Sequence, residues 1–227
     1  MAQKTREATV RAAEIVREYG PFAGSARIHG VTHDGRNVWA ATDNGLVAFD
    51  PASGDTLRKF ERPADAGTAF DGKYLYQIAE SRIDKIDPAT GSVVATIPAP
   101  GKGNDSGLTW AEGSLWVGQY RDRKIHQIDP ATGAIKRTIE SNRFVTGVTF
   151  VDGEMWHGTW EGEESELRRI DPDSGDVLER LPCRSRRSTA CSTRSSRTCR
   201  GSRTSRWRTC CRATSPRWCV CFRCSSA

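Results

Sequence analysis

The sequence predicts an all-β fold, a β-propeller of four-stranded blades. Three observations carry this: a phrase repeated four times, turn words at fixed places in each copy, and strand-forming residues between the turns. The phrase reads "FDPASGDTLRKF" from Phe49, "IDPATGSVVATI" from Ile86, "IDPATGAIKRTI" from Ile128 and "IDPDSGDVLERL" from Ile170. Its Asp-Pro pairs start at Asp50, Asp87, Asp129 and Asp171, giving spacings of 37, 42 and 42 residues. A second phrase precedes each copy: "GVTHDGRNVWAA", "GTAFDGKYLYQI", "GLTWAEGSLWVG" and "GVTFVDGEMWHG". A period near 40 residues is that of a propeller blade; solenoid coils are shorter, and sandwiches do not repeat the same turn words.

Each element follows from its residues. Asp-Gly or Glu-Gly between apolar runs makes a tight hairpin, because Gly accepts the positive φ required there. D-P-x-[ST]-G makes a second turn: Pro pre-sets φ, the Asp side chain bonds backbone, and Gly closes it. Val, Leu, Ile, Trp and Tyr between the turns favour strands. Each period therefore contains antiparallel strands A to D, with blades expected at about Ile28–Phe60, Gly67–Ile97, Ser106–Ile139 and Thr146–Leu181. Trp39, Tyr76, Trp116 and Trp156 recur at one repeat position and are expected to pack between blades.

Five blades are expected, the last lost or disrupted. "EIVREYGPF" from Glu14 resembles "DTLRKFERP" from Asp55, so Glu14–Tyr19 is expected to be strand D of a closing blade whose strands A to C come from the other end of the chain. The spacing of "REATVRAAEIVREY" also allows a short helix. The expected division is an extension over 1–13, the propeller over 14–182 and a tail over 183–227. The tail carries 12 Arg, 10 Ser and all eight Cys, with no Lys, Asp, Glu, Leu or Ile. Its composition is what a GC-rich coding sequence gives out of frame, and it replaces the strands that closure requires. The expectation is a frameshift near Pro182 and a disordered tail. An Arg/Ser nucleic-acid arm and a cysteine metal site in "CVCFRC" are the alternatives.

The net charge of +6 hides this division. Without the tail, 22 basic and 28 acidic side chains remain, so the body gives no reason to expect nucleic acid or an anionic membrane as partner. A body without Cys suits a reducing compartment. The N-terminus has no apolar stretch of signal-peptide length, and no run approaches the roughly 18 apolar residues of a membrane span. The expected location is the cytoplasm.

Propellers bind ligands at one end of the central channel, where the loops entering strand A meet the B–C turns. There Tyr120, Phe144 and Trp160 are candidates for an apolar wall, and Arg121 and Arg143 for holding a carboxylate. Glu80, Asp105 and Glu161 are candidate acids or bases, or oxygen donors to a hard cation together with Asn104. No cofactor is expected, a divalent metal being the alternative. His126 is expected exposed on strand C. His29 and His157 stand where other blades carry Ala, Ser, Thr, Gln or Val. No nucleophile motif or phosphate-cradling loop is present.

The phrases "GLTWAEGSLWVGQYRDRKIHQIDPATG" and "GVTFVDGEMWHGTWEGEESELRRIDPDSG" resemble the bacterial glutaminyl cyclotransferase family over most of residues 14–181. More distant likeness extends to streptogramin lyases and Tyr-Val-Thr-Asn repeat propellers. The resemblance implies a five-bladed propeller and a transferase that converts N-terminal Gln to pyroglutamate as ammonia leaves. It also implies a Glu directly after the strand-B aromatic residue. Ala40 and Gln77 occupy that place here; the candidate catalytic residues, at the channel mouth, are Glu80, Glu161 and His29. Two other readings stay open: a non-enzymatic propeller that binds a ligand or protein on the same face, and a lyase- or lactonase-type enzyme using a divalent metal.

Overall fold

Each copy of the repeat folds as a four-stranded antiparallel sheet. The computed structural model describes residues 8–11, 15–20, 22, 25–162, 164–183 and 209–210. Two short strands come first, β1 (Thr9–Val10) and β2 (Ile15–Arg17). Blade 1 is β3 (Ile28–His33), β4 (Val38–Thr42), β5 (Gly45–Phe49) and β6 (Thr56–Phe60). Blade 2 is β7 (Thr68–Phe70), β8 (Leu75–Ala79), β9 (Arg82–Ile86) and β10 (Val93–Pro98). Blade 3 is β11 (Asp105–Ala111), β12 (Ser114–Gln119), β13 (Lys124–Ile128) and β14 (Ile135–Glu140). Blade 4 is β15 (Phe144–Val151), β16 (Glu154–Glu161), β17 (Glu164–Ile170) and β18 (Val177–Cys183), with β1 added in parallel outside β18. A last strand, β19 (Thr209–Cys210), pairs antiparallel with β2. The "CVCFRC" segment lies outside the described residues. Ile15–Arg17 is extended rather than helical.

The two turn words work as their chemistry requires. In each D-P-x-x-G turn the closing Gly donates its N–H to the Asp carbonyl: Gly54 to Asp50 at 2.7 Å, and Gly91 to Asp87, Gly133 to Asp129 and Gly175 to Asp171 at 2.8 Å. In the A–B turns, Asp34 and Asp71 also hold the strand-B aromatic residue. Trp39 Nε1 donates to Asp34 Oδ2 at 2.7 Å, and the Tyr76 hydroxyl to Asp71 Oδ2 at 3.1 Å. Blade 3 has Ala111 five residues before Trp116, and the Trp116 Nε1 is buried without a partner.

The glycine that opens the second phrase serves close approach. A Cβ on Gly67 would stand 2.2 Å from Leu108 N, and one on Gly107 would stand 2.4 Å from Val148 N. Strands A of neighbouring blades therefore touch backbone to backbone at the axis. Farther out, large side chains fill the widening wedge. Trp39 packs with Leu75 and Ile86 of blade 2, Tyr76 with Leu115 and Ile128 of blade 3, and Trp116 with Met155 and Ile170 of blade 4. Trp156 instead packs with Leu167, Leu181, Val151 and Cys183 of its own blade.

His126, like Trp156, departs from expectation. His126 is buried, opposite Val117 on β12, with Nδ1 2.8 Å from Thr138 Oγ1. An inner strand flanked by blades on both sides has no solvent face. The equivalent positions Val47, Asp84 and Arg168 are buried too.

Candidate functional site

The upper ends of blades 3 and 4 bring together five of the ten candidate residues. Tyr120 follows β12, Phe144 opens β15, and Trp160 lies opposite Phe144 on β16. Their rings form one wall: Tyr120–Phe144 centroids are 4.8 Å apart, Phe144–Trp160 6.2 Å and Tyr120–Trp160 6.4 Å, with planes within 28° of parallel. All three are half-buried. The Arg123 guanidinium covers Phe144 at 4.5 Å from its ring centre. Stacked rings with a cation on one face suit a flat or apolar ligand group.

A polar network adjoins this wall. Arg123 Nη2 meets Glu161 Oε1 at 3.2 Å, and Nη1 donates to the Asn142 carbonyl at 3.0 Å. Arg143 Nη2 donates to Glu164 Oε2 at 3.0 Å. Glu166 is buried, and the guanidiniums of Arg168 and Arg180 converge on it. Arg168 Nε bonds Oε2 at 2.9 Å, Arg180 Nε bonds the same oxygen at 3.2 Å, and Arg180 Nη2 bonds Oε1. Burial pushes the Glu166 carboxyl up, but Arg180 and Arg168 outweigh it and hold it below the usual range. His157, opposite Arg168, is pushed down to about 3 by burial and by the Arg168 charge, so it is neutral.

Asp105 begins β11, in register with Gln119, the residue before Tyr120. Both carboxylate oxygens accept from Gly101 N at 3.0 Å, and burial raises the carboxyl to about 6. That value suits proton transfer near neutral pH. Asn104 is exposed, and its carbonyl accepts from Tyr120 N at 3.4 Å. Arg121 is exposed beside Tyr120.

The other two candidates find their partners on other blades. His29 Nε2 is 2.9 Å from Asp43 Oδ1, and Asp43 Oδ2 accepts from the backbone N–H of Arg27 at 2.9 Å and Ala26 at 3.1 Å. Asp43 also borders an open polar groove of about 420 Å³ with Asn44, Lys59, Glu61, Arg62 and Pro63. Glu80 is exposed in the B–C turn of blade 2 at φ 56°, where its N–H donates to Asp65 and its carboxylate meets Arg82 Nη1 at 3.3 Å. Among the described residues, no group of three or more His, Cys, Asp or Glu has metal-site geometry.

Sequence reasoning missed Arg123, Asn142, Glu166 and Arg168. For Arg168 the signal was present in the repeat. Arg168 fills a strand-C position that holds Val47 in blade 1, and its cross-strand partner is His157 where blade 1 has Ala40.

The comparisons agree on the fold. A crystal structure of Myxococcus xanthus glutaminyl cyclase is similar with a TM-score of 0.65 and 20% identity, over 77% of this chain and 78% of that one. A Bacteroides caccae protein of unknown function is similar at TM-score 0.53 and 15% identity, over 74% of this chain and 65% of that one. The WD40 domain of Neurospora crassa Pan2 is similar at TM-score 0.50 and 12% identity, over 69% and 49%. No family profile and no curated protein matches the chain in sequence. The chain thus shares a propeller fold of four-stranded blades with a glutaminyl cyclase.

Proposed function

We propose that the upper end of blades 3 and 4 binds a small molecule or a peptide terminus. Its apolar part lies against Tyr120, Phe144 and Trp160, and its polar part faces Arg143 and Glu161. The carrying observation is the wall of three near-parallel rings contributed by two blades. The wall joins residues about 40 positions apart in the chain, and half-buried rings on a rim are available to a partner. A cyclotransferase-like reaction is the enzymatic form of this reading. It moves a proton from an attacking amine to a leaving ammonia, a task that Glu161 or the raised carboxyl of Asp105 would perform beside the wall.

Tryptophan fluorescence tests the reading with Gln-initiated peptides and matched peptides of other sequence. The expected result is a saturable change that is lost in Trp160→Ala, with the melting temperature of that variant near wild type. Absence of any saturable change would sink it. Ammonia release, compared with Glu161→Gln and Asp105→Asn, separates enzyme from binding module: release confined to the unaltered chain assigns catalysis.

We also infer that β2 is the outer strand of a fifth blade. Arg17 donates to the carbonyls of Pro51, at 2.7 Å, and Ala52. On β6, Arg58 donates to Pro88 at 2.9 Å and Ala89 at 2.8 Å, the same two carbonyls one blade on. The Tyr19 ring packs on Phe49 at 5.2 Å. β1 lies on the outer edge of blade 4, and four residues separate it from β2. They span at most about 18 Å, a reach that supports β2 lying one blade on from blade 4.

A further inference from the structure

Buried polar side-chain atoms are almost always paired, so unpaired ones mark places where the protein alone does not complete the bonding. Among the described residues, six such atoms have no hydrogen-bond partner. Two of them flank the aromatic wall, and they are opposite in sign: Arg143 Nη1 and Glu161 Oε2. Arg143 precedes Phe144 and Glu161 follows Trp160, and Phe144 and Trp160 are opposed in register. Arg143 and Glu161 are therefore neighbours across the end of the β15–β16 pair. They also share Glu164, which lies opposite Glu161 on β17 and accepts from Arg143 Nη2 at 3.0 Å.

Neither atom has a hydrogen-bond partner in the network around it. Arg143 Nη1 is 4.0 Å from Glu166 Oε1, beyond hydrogen-bond range, and that carboxylate is already taken by Arg168 and Arg180. Glu161 receives Arg123 on its other oxygen, Oε1, at 3.2 Å. A carboxylate ligand would complete Arg143 and leave Glu161 unpaired. An ammonium ligand would do the reverse. A ligand with both groups on one carbon completes both, with its side chain directed at the rings.

We propose that this site takes a free α-amino acid with an aromatic or large apolar side chain. The carboxylate sits on Arg143, the ammonium on Glu161 and the side chain on Tyr120, Phe144 and Trp160. This rests on the binding site proposed above and adds the chemical class of its ligand. A guanidinium suits the carboxylate because its planar fork offers paired donors. A peptide terminus supplies one of the two charges and binds more weakly than the free amino acid.

Calorimetric titration of the full chain with four probes tests it: L-phenylalanine, L-phenylalaninamide, 3-phenylpropionate and N-acetyl-L-phenylalaninamide. L-Phenylalanine is expected to bind at least about tenfold more tightly than any of the others, since each lacks at least one charge-assisted contact. Glu161→Gln should bring L-phenylalanine and 3-phenylpropionate within about threefold of each other. Arg143→Gln should do the same for L-phenylalanine and its amide. The four-probe comparison on the unaltered chain stands even where a variant fails to fold. If all four probes bind within threefold, the amino-acid inference falls and the wall remains a binding site. The inference falls in the same way if Gln-initiated peptides bind and L-phenylalanine does not. If no probe and no peptide binds, both readings fall.

Discussion

Blades 1 and 4 share one backbone plan, and one buried pair between strands B and C changes from apolar to polar. In blade 1 the pair is Ala40 opposite Val47, both buried and apolar. In blade 2 it is Gln77 opposite Asp84, and in blade 4 it is His157 opposite Arg168. Burying a polar group without partners costs about 1–3 kcal/mol, so each polar pair needs an account of its bonds. Blade 2 closes that account: Gln77 meets Thr68 Oγ1 at 2.5 Å, Ala66 O at 3.1 Å and Ile78 O at 2.8 Å. Blade 4 does not, since His157 Nδ1, Arg143 Nη1 and Glu161 Oε2 are left over. The repeat explains the fold. The departure from the repeat, and the unpaired atoms that accompany it, locates the candidate site.

The sharpest way to break this comparison is to alter a residue that serves both the repeat and the interface with blade 4. Trp116 is fully buried between blades 3 and 4. Trp116→Ala should lower stability by about 3–5 kcal/mol in urea denaturation, the range for losing a buried aromatic side chain. Trp160→Ala, on the half-buried wall, should cost about 1 kcal/mol or less. Equal losses at the two would remove the distinction between packing and site.

A smaller effect separates blade 2 from blade 4 directly. Gln77→Leu should cost about 1–3 kcal/mol, because it leaves the Ala66 carbonyl and the Thr68 hydroxyl buried without their partner. His157→Leu should change stability by under about 1 kcal/mol, since the Nδ1 it removes had no partner. A His157→Leu loss as large as that of Gln77→Leu would show that the blade 4 position is satisfied after all.

The smallest effect concerns pH. Asp105 has its carboxyl raised from 3.8 to about 6 by burial. Between about pH 4 and 6 the native state keeps a proton that the unfolded chain has lost. This group's contribution to stability is therefore greatest below about pH 4 and declines as pH rises through about 6, by on the order of 1–2 kcal/mol. Asp105→Asn should flatten that slope in thermal melts taken from pH 4 to 7. An unchanged slope would place the raised carboxyl elsewhere.

The four complete blades, the turns between their strands and the rim position of Tyr120, Phe144 and Trp160 were legible in the sequence for a common reason. Repeated turn words set the register, and Tyr120, Phe144 and Trp160 fall at rim positions of that register. His126 was misjudged because a single strand does not reveal whether a blade covers its second face. Arg123, Asn142 and Glu166 were missed because ordinary polar residues near turns carry no local signal. What brings them together is the packing of one blade on the next. The pairing of His29 with Asp43 likewise needed the opposition of β3 and β4, which places Ile28 against Thr42.

By itself the sequence determined the repeat of about 40 residues, the D-G and D-P-x-x-G turns, and the recurring strand-B position that buries Trp39, Tyr76 and Trp116. These are local matters of φ, hydrogen bonding and apolar area. Only the tertiary structure decided which polar residues meet. Blade-to-blade contact depends on glycines that let strands A touch, and on the angle at which one twisted sheet packs on the next. That geometry stacks Tyr120 on Phe144, gathers Arg168 and Arg180 on Glu166, and leaves Arg143 and Glu161 each with one buried atom unpaired.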